Sequence, residues 1–340
     1  MTALPEPRGA LTDFLLEALA RPPAALPEPP EPGGEEDLQL ALYLCYELHY
    51  RGLPGVDDRW EWEPSLIALR GELERRFEAA LRRDIPVPRP DAPIDLALRE
   101  IEAADEAPSL SRHLEREGTL DEYLEFVVQR SAYQLKEADP HSWALPRLSG
   151  GPKAALVEIQ ADEYGGGDPR RIHAALFAAA MDALGLDSRY GAYVDHLPAV
   201  TLATVNLMSM FGLHRRLLGA IVGHLAMFEM TSSIPNRRYG NGLRRLGFSG
   251  AATEFYDEHV VADAVHENVA TVDLAGGLAR QDPRLTGDIL WGAAALIELE
   301  GRFARHLLGA WEAGERSLRR PIEPRAGAAG SAASPAARAR

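Results

Sequence analysis

A single cysteine, Cys45, is all the thiol this 340-residue chain carries. That excludes an internal disulfide and any cysteine-held zinc or iron–sulfur site, and it fits a reducing, cytoplasmic setting. Blocks of lysine and arginine interleaved with aromatics are missing as well. A formal charge of -15 and a pI near 5.2 repel a phosphate backbone, so nucleic acid is not expected as a partner. The N-terminal MTALPEPRGALTDF has no basic stretch followed by an apolar one, so no signal peptide is expected. Alternating β-branched runs, the mark of half-buried strands, are also missing. The longest uncharged run, residues 197–213, approaches membrane-spanning length. It contains Pro198, Thr201, Thr204, Asn206 and Ser209, so it is expected to be a buried core helix and no membrane is implied.

What remains is abundant helical patterning: 46% of residues are hydrophobic, enough for a substantial core. Leu66, Leu69, Leu73, Phe77 and Leu81 recur at helical spacing, as do Leu290, Ala293, Leu296, Leu299, Phe303 and Leu307. Residues 1–36, with PEPRG and RPPAALPEPPEPGG, have the composition of a disordered Pro-rich tail, and 321–340, rich in Ala, Gly, Ser and Pro, that of a second loose tail. The connection DIPVPRPDAP suggests that 37–118 form an N-terminal helical layer apart from the rest. A capping box at Thr119 and Glu122 starts a helix expected to run to about Glu137, opening the domain 119–320 that holds every candidate for chemistry.

The strongest local signal is His259, Asp263 and His266 in FYDEHVVADAVHEN. Positions i, i+4 and i+7 of a helix fall within an arc of roughly 60°, so the three side chains leave one face, either as metal ligands or as a solvated polar stripe. A second group is Asp162, Glu163 and His173, spread across the run Gly165-Gly166-Gly167. The glycines allow Glu163 and His173 to approach one point, and Asp168-Pro169 reads as the start of the helix that carries His173. Glu229 stands in an otherwise apolar helix and needs a cation, either a metal or an arginine such as Arg237 or Arg238. Glu137, near a helix end, is a weaker candidate. Three imidazoles and four carboxylates are more than one ion can hold, and mixed O/N donors without thiolate suit a pair of iron or manganese ions. The Glu-x-x-His signature of ferritin-type bundles is missing, so a different bundle is required.

The ordered set, Glu163 and His173 across the glycines, then Glu229, then His259-x3-Asp263-x2-His266, resembles that of the haem-oxygenase-like diiron oxidases and oxygenases, the iron-containing redox enzymes. The resemblance implies an all-α haem-oxygenase-like bundle with an additional N-terminal helical layer that serves as a dimerisation region. It implies six metal ligands, Glu163, His173, Glu229, His259, Asp263 and His266, around two Fe ions. Glu137 is similar to the extra carboxylate of members that oxygenate nitrogen, such as the central domain of the enzyme that builds the streptozotocin N-nitroso group.

By that resemblance the chain is an O2-dependent oxidoreductase, supplied with electrons by an external reductase, that N-hydroxylates or N-oxygenates an amine or amino-acid-derived metabolite. The alternative within the family is oxidative decarboxylation, desaturation or C–C cleavage of a fatty or amino acid. Arg237 and Arg238 offer themselves as a carboxylate anchor, and Tyr239 and Tyr256 as cavity lining. An alternative of another class is a non-catalytic helical interaction protein. Haem breakdown fits poorly, because it needs one proximal histidine and no carboxylate cluster. His214 and His224 read as structural, and His141 has no partner at ligand spacing.

Overall fold

The computed structural model describes residues 3–87 and 92–322, with the backbone alone for 263–265. Among the described residues there are helices and turns and no strand. The helices are α1 Ala10–Leu19, α2 Glu35–Glu47, α3 Pro64–Asp84, α4 Ile94–Ala103, α5 Leu110–Arg116, α6 Leu120–Gln134, α7 Asp139–Ser142, α8 Gly150–Glu163, α9 His173–Ala183, α10 Ala199–Leu213, α11 Leu218–Arg245, α12 Ala251–Asn268, α13 Gly276–Gln281 and α14 Thr286–Glu312.

The apolar residues picked out by spacing on α3 and α14 are all buried. At the centre lies α11, packed on α14, α12, α10 and α5. Its contact with α14 is set by small residues. A Cβ on Gly223 would stand 1.8 Å from the Ile289 carbonyl oxygen, and one on Gly292 would stand 2.1 Å from that of Ala220. Only glycine lets the two backbones meet this closely. The uncharged run 197–213 becomes α10, buried almost throughout. One stretch, Arg215–Arg245, is long and apolar enough to cross a membrane, yet 72% of its apolar window is buried inside the fold, as befits a core helix.

Two expectations are corrected. Residues 1–36 are not a loose tail where described, because α1 buries Leu11, Leu15 and Leu19. The reason is a remote carboxylate: Asp37, 1% exposed, accepts hydrogen bonds from the amides of Leu11 (3.1 Å), Thr12 (2.9 Å) and Gly33 (2.9 Å) and from the Thr12 hydroxyl (2.7 Å). It caps the positive end of α1 from the next helix. The proline-rich stretch is then pinned by the Trp60 indole donating to Arg21 O (2.9 Å) and the Leu26 amide donating to Ser65 Oγ (2.8 Å). Second, the helices of 37–118 do not stand apart from the rest but share its core, since one apolar cluster runs from Leu11 to Leu318, with α2 against α10, α4 against α14 and α5 against α11. Of the C-terminal tail, 323–340 lie outside the described residues.

Candidate metal centre

The Thr119–Glu122 capping box starts α6 as expected, but the helix ends at Gln134. The chain leaves the α-helical pattern where the Lys136 amide turns onto the Tyr133 carbonyl (2.9 Å), and Pro140, with no N–H for the Lys136 carbonyl, keeps the helix from resuming in register. Glu137 therefore sits in a turn and is buried. Glu163 is the last residue of α8. Gly165 then turns with φ 71°, and a Cβ on it would lie 2.7 Å from the backbone of Arg171 and Ile172. That close return brings His173 Nδ1 to 3.1 Å from Glu163 Oε2. The helix of His173 begins at His173 itself, not at Asp168-Pro169, because the Asp168 carboxylate is used to close a turn onto the Arg170 amide (3.0 Å).

On α12, His259 Nδ1 donates to the Phe255 carbonyl (2.8 Å), which directs Nε2 to Glu137 Oε1 at 3.4 Å. One face further along, His266 places Nδ1 3.3 Å from Glu229 Oε2 of α11, while its Nε2 donates to Asp162 Oδ2 (3.0 Å). Each of these two imidazoles thus has its second nitrogen held by a hydrogen bond, the arrangement that fixes tautomer and ring direction in histidine metal ligands. Asp263 is on the same helix, and its side chain lies outside the described residues. Just beyond His266 the helix widens into a π-helical segment, Val269–Ala275, of the kind often found beside functional sites.

The donors form two groups with one member in common. Glu137, Glu163, His173 and His259 each offer a ligand atom, all within 4.8 Å of one another, and Glu163, Glu229 and His266 do the same. Both groups are buried. Glu137 Oε2, Glu163 Oε2, His173 Nδ1 and His266 Nδ1 make no hydrogen bond. Buried polar atoms are rarely left so, and convergent ones ask for a cation. The electrostatics agree. Burial raises Glu137, and burial with Glu229 and Asp162 nearby pushes Glu163 up to about 7. Burial and the neighbouring His259 hold His173 down at about 4. Burial alone would lower His266 too, but Glu229, Asp162 and Glu163 push it up to about 9. The donor set, carboxylate oxygens and imidazole nitrogens without thiolate, fits iron.

Residues 124–301, just over half of the chain, match the family model of the iron-containing redox enzymes. The chain belongs to that family. Among curated proteins none matches it. In this iron-containing redox enzyme the buried His/Glu cluster is the place where metal would be held, and the fold is the all-α haem-oxygenase-like one.

The structure does not bring the expected substrate residues to the cluster. Arg238 faces α5, near Ser109 and Ser111 (3.4 Å each) and Glu115 (4.0 Å), and Arg237 is exposed. These arginines are placed to brace α5 and the surface. Tyr239 and Tyr256 pack in an aromatic layer with Phe126 and Phe255 behind the cluster. The cavity beside the carboxylates is lined instead by Tyr133, Phe228, Leu225, Gln160, His141 and Ser232 together with Glu137, Glu163, Glu229 and His259. Tyr133 carries no signal of this role in the sequence beyond standing four residues before Glu137. Burial together with Glu137, Glu163 and Glu229 raises its phenol well above its usual range.

Proposed function

We propose that this enzyme holds two irons and uses dioxygen, with electrons from an external donor, to oxygenate the nitrogen of a small amine or amino-acid-derived metabolite. The carrying observation is the pair of buried ligand groups that meet at Glu163. Glu137, His173 and His259 would hold one ion, and Glu229 and His266 the other, with Asp263 a further candidate and Glu163 shared. Bound there, a reduced iron pair supplies electrons to dioxygen. Glu137 supports the choice of nitrogen: it is similar to the extra carboxylate of the nitrogen-oxygenating members that this chain resembles, and it is buried with its Oε1 3.4 Å from His259 Nε2, where it would serve as a further ligand.

The protein's own contribution is burial, orientation and proton supply. The apolar walls Phe228, Leu225 and the Tyr133 ring bound a narrow space beside the carboxylates, with room for about one water-sized group, and a substrate would present its uncharged amino end there. The stoichiometry is one amine, one O2, two electrons and two protons giving one hydroxylamine and one water, so protons must reach a site whose carboxylates Glu137, Glu163 and Glu229 are buried.

Anaerobic titration with Fe2+ followed by exposure to O2 in the presence of amines tests the reading. Two irons per chain and a product one oxygen heavier are the expected results. Saturation at one iron, or consumption of carboxylic acids with amines untouched, overturns it, the latter in favour of C–H or C–C oxidation.

A further inference from the structure

Outside the ligand set the described residues contain a second pair of buried imidazoles. His141 of α7 and His224 of α11 are 2% and 1% exposed, and His141 Nε2 lies 3.1 Å from His224 Nδ1. Their meeting depends on Gly212 of α10, where a Cβ would stand 2.5 Å from the Pro140 carbonyl oxygen and keep α7 away. The His224 ring lies nearly parallel to Phe228, 9° between planes, with Phe211 on its edge.

The pair stands between two cavities. His141 lines the one beside Glu137, Glu163 and Glu229. His224 lines an inner one, together with Met208, Leu296 and the half-buried Thr204, Arg130 and Glu300, which reach towards solvent. Burial holds His141 down at about 4 and, with His141 beside it, takes His224 well below its usual range. Each ring is then neutral, with one N–H and one lone pair. One proton is shared in the bond between them, and one nitrogen of each ring remains outside it, Nδ1 of His141 and Nε2 of His224. Two imidazoles buried without a charged partner are a poor way to fill a core that apolar side chains would fill better.

We propose that His224 and His141 form a proton relay from the inner cavity to the carboxylate-lined cavity, a role that rests on the dioxygen reduction proposed above and its demand for two protons. His224 takes a proton on Nε2 from water in the inner cavity. The proton on its Nδ1 passes to His141 Nε2, and His141 releases the proton on Nδ1 to the water being formed. No net charge stays on the pair. The two rings have exchanged tautomers, and they reset while their mutual hydrogen bond is open, each ring losing the proton on one nitrogen and gaining one on the other from water of the cavity it lines, so that no proton crosses back.

The test uses the full chain loaded with Fe2+, mixed with O2 in H2O and in D2O. His141→Gln and His224→Gln are each expected to keep the iron content while slowing iron oxidation by about 100-fold, the low end of what positioned proton transfer contributes. The D2O effect should grow in both, because proton delivery then limits the rate, and the double variant should be no slower than either single one. In metal-free protein with 15N-labelled histidine, coupling between His141 Nε2 and His224 Nδ1 should report the shared proton and vanish in His224→Gln. Wild-type protein that reacts with O2 while both variants match its rate and D2O effect overturns the relay alone. Wild-type protein that binds iron but is inert to O2 overturns the proposed function, and absence of the 15N coupling overturns the relay whatever the oxygen chemistry.

Discussion

Lys136 and Glu137 are neighbours in the chain and both are buried, yet they enter opposite kinds of surroundings. The Lys136 ammonium is answered from within the protein: it is ion-paired to Glu47 Oε1 and lies 4.0 Å from the centre of the Tyr50 ring, and Glu47 Oε2 accepts from the Tyr190 hydroxyl (2.5 Å). Around Glu137, by contrast, Glu137 Oε2, Glu163 Oε2 and His173 Nδ1 make no hydrogen bond. A closed network stabilises the fold as it stands, whereas an open one of convergent donors costs folding energy and is retained where a cation repays it.

The comparison can be broken from either side. Lys136→Met leaves the buried Glu47 carboxylate without its partner and should destabilise the protein by about 3–5 kcal/mol in a urea or thermal unfolding experiment. Its metal content per folded chain should not change. Glu163→Gln should do the reverse. Removal of a crowded buried charge leaves the unfolding midpoint of metal-free protein unchanged or higher, while loss of the shared ligand weakens iron binding more than about 100-fold in an anaerobic titration, beyond what loss of an outer-shell partner costs. A drop in metal-free stability would show that the cluster is a closed network after all.

Asp162→Ala sharpens the contrast within the centre. Asp162 orients His266 through Nε2, so the ion held by Glu229 and His266 should weaken most, by about 10- to 100-fold, read as a second, looser phase of iron uptake. The smallest effect concerns α1. Burial alone would raise Asp37, but hydrogen bonds from Gly33, Thr12 and Leu11 outweigh it and hold its carboxyl below the usual range. Its contribution is therefore full above the unfolded value of about 3.9 and is lost as pH falls through the lower folded value. Hydrogen exchange of α1 should accelerate below about pH 4, and Asp37→Ala should bring that acceleration to neutral pH at a cost of about 1–2 kcal/mol.

Local structure is legible in the sequence where the physics is local. The Thr119 capping box, the apolar faces of α3 and α14 and the role of the glycine run all depend on residues within a few positions of one another, and all are present in the fold. Failures came where a distant group intervened. A tail with proline-rich composition is ordered because Asp37 caps it, and Asp168 gives its carboxylate to a turn and not to a helix start. Arg237 and Arg238 carried the right charge for an anchor but lie on the side of α11 that meets α5 and solvent. Tyr133 is not legible in the sequence, because an aromatic on an amphipathic helix has no signature until a cavity opens beside it.

The order and chemistry of Glu137, Glu163, His173, Glu229, His259, Asp263 and His266 belong to the sequence alone, since ligand type and helical spacing follow from residue identity and backbone geometry. Which of them face one another was decided by tertiary packing. The division into two groups that share Glu163, the hold of Asp162 on His266 and the pairing of His141 with His224 depend on how closely α7, α8, α9, α11 and α12 approach, and that distance is set by close contacts at glycines such as Gly165 and Gly212 and by the apolar packing between helices.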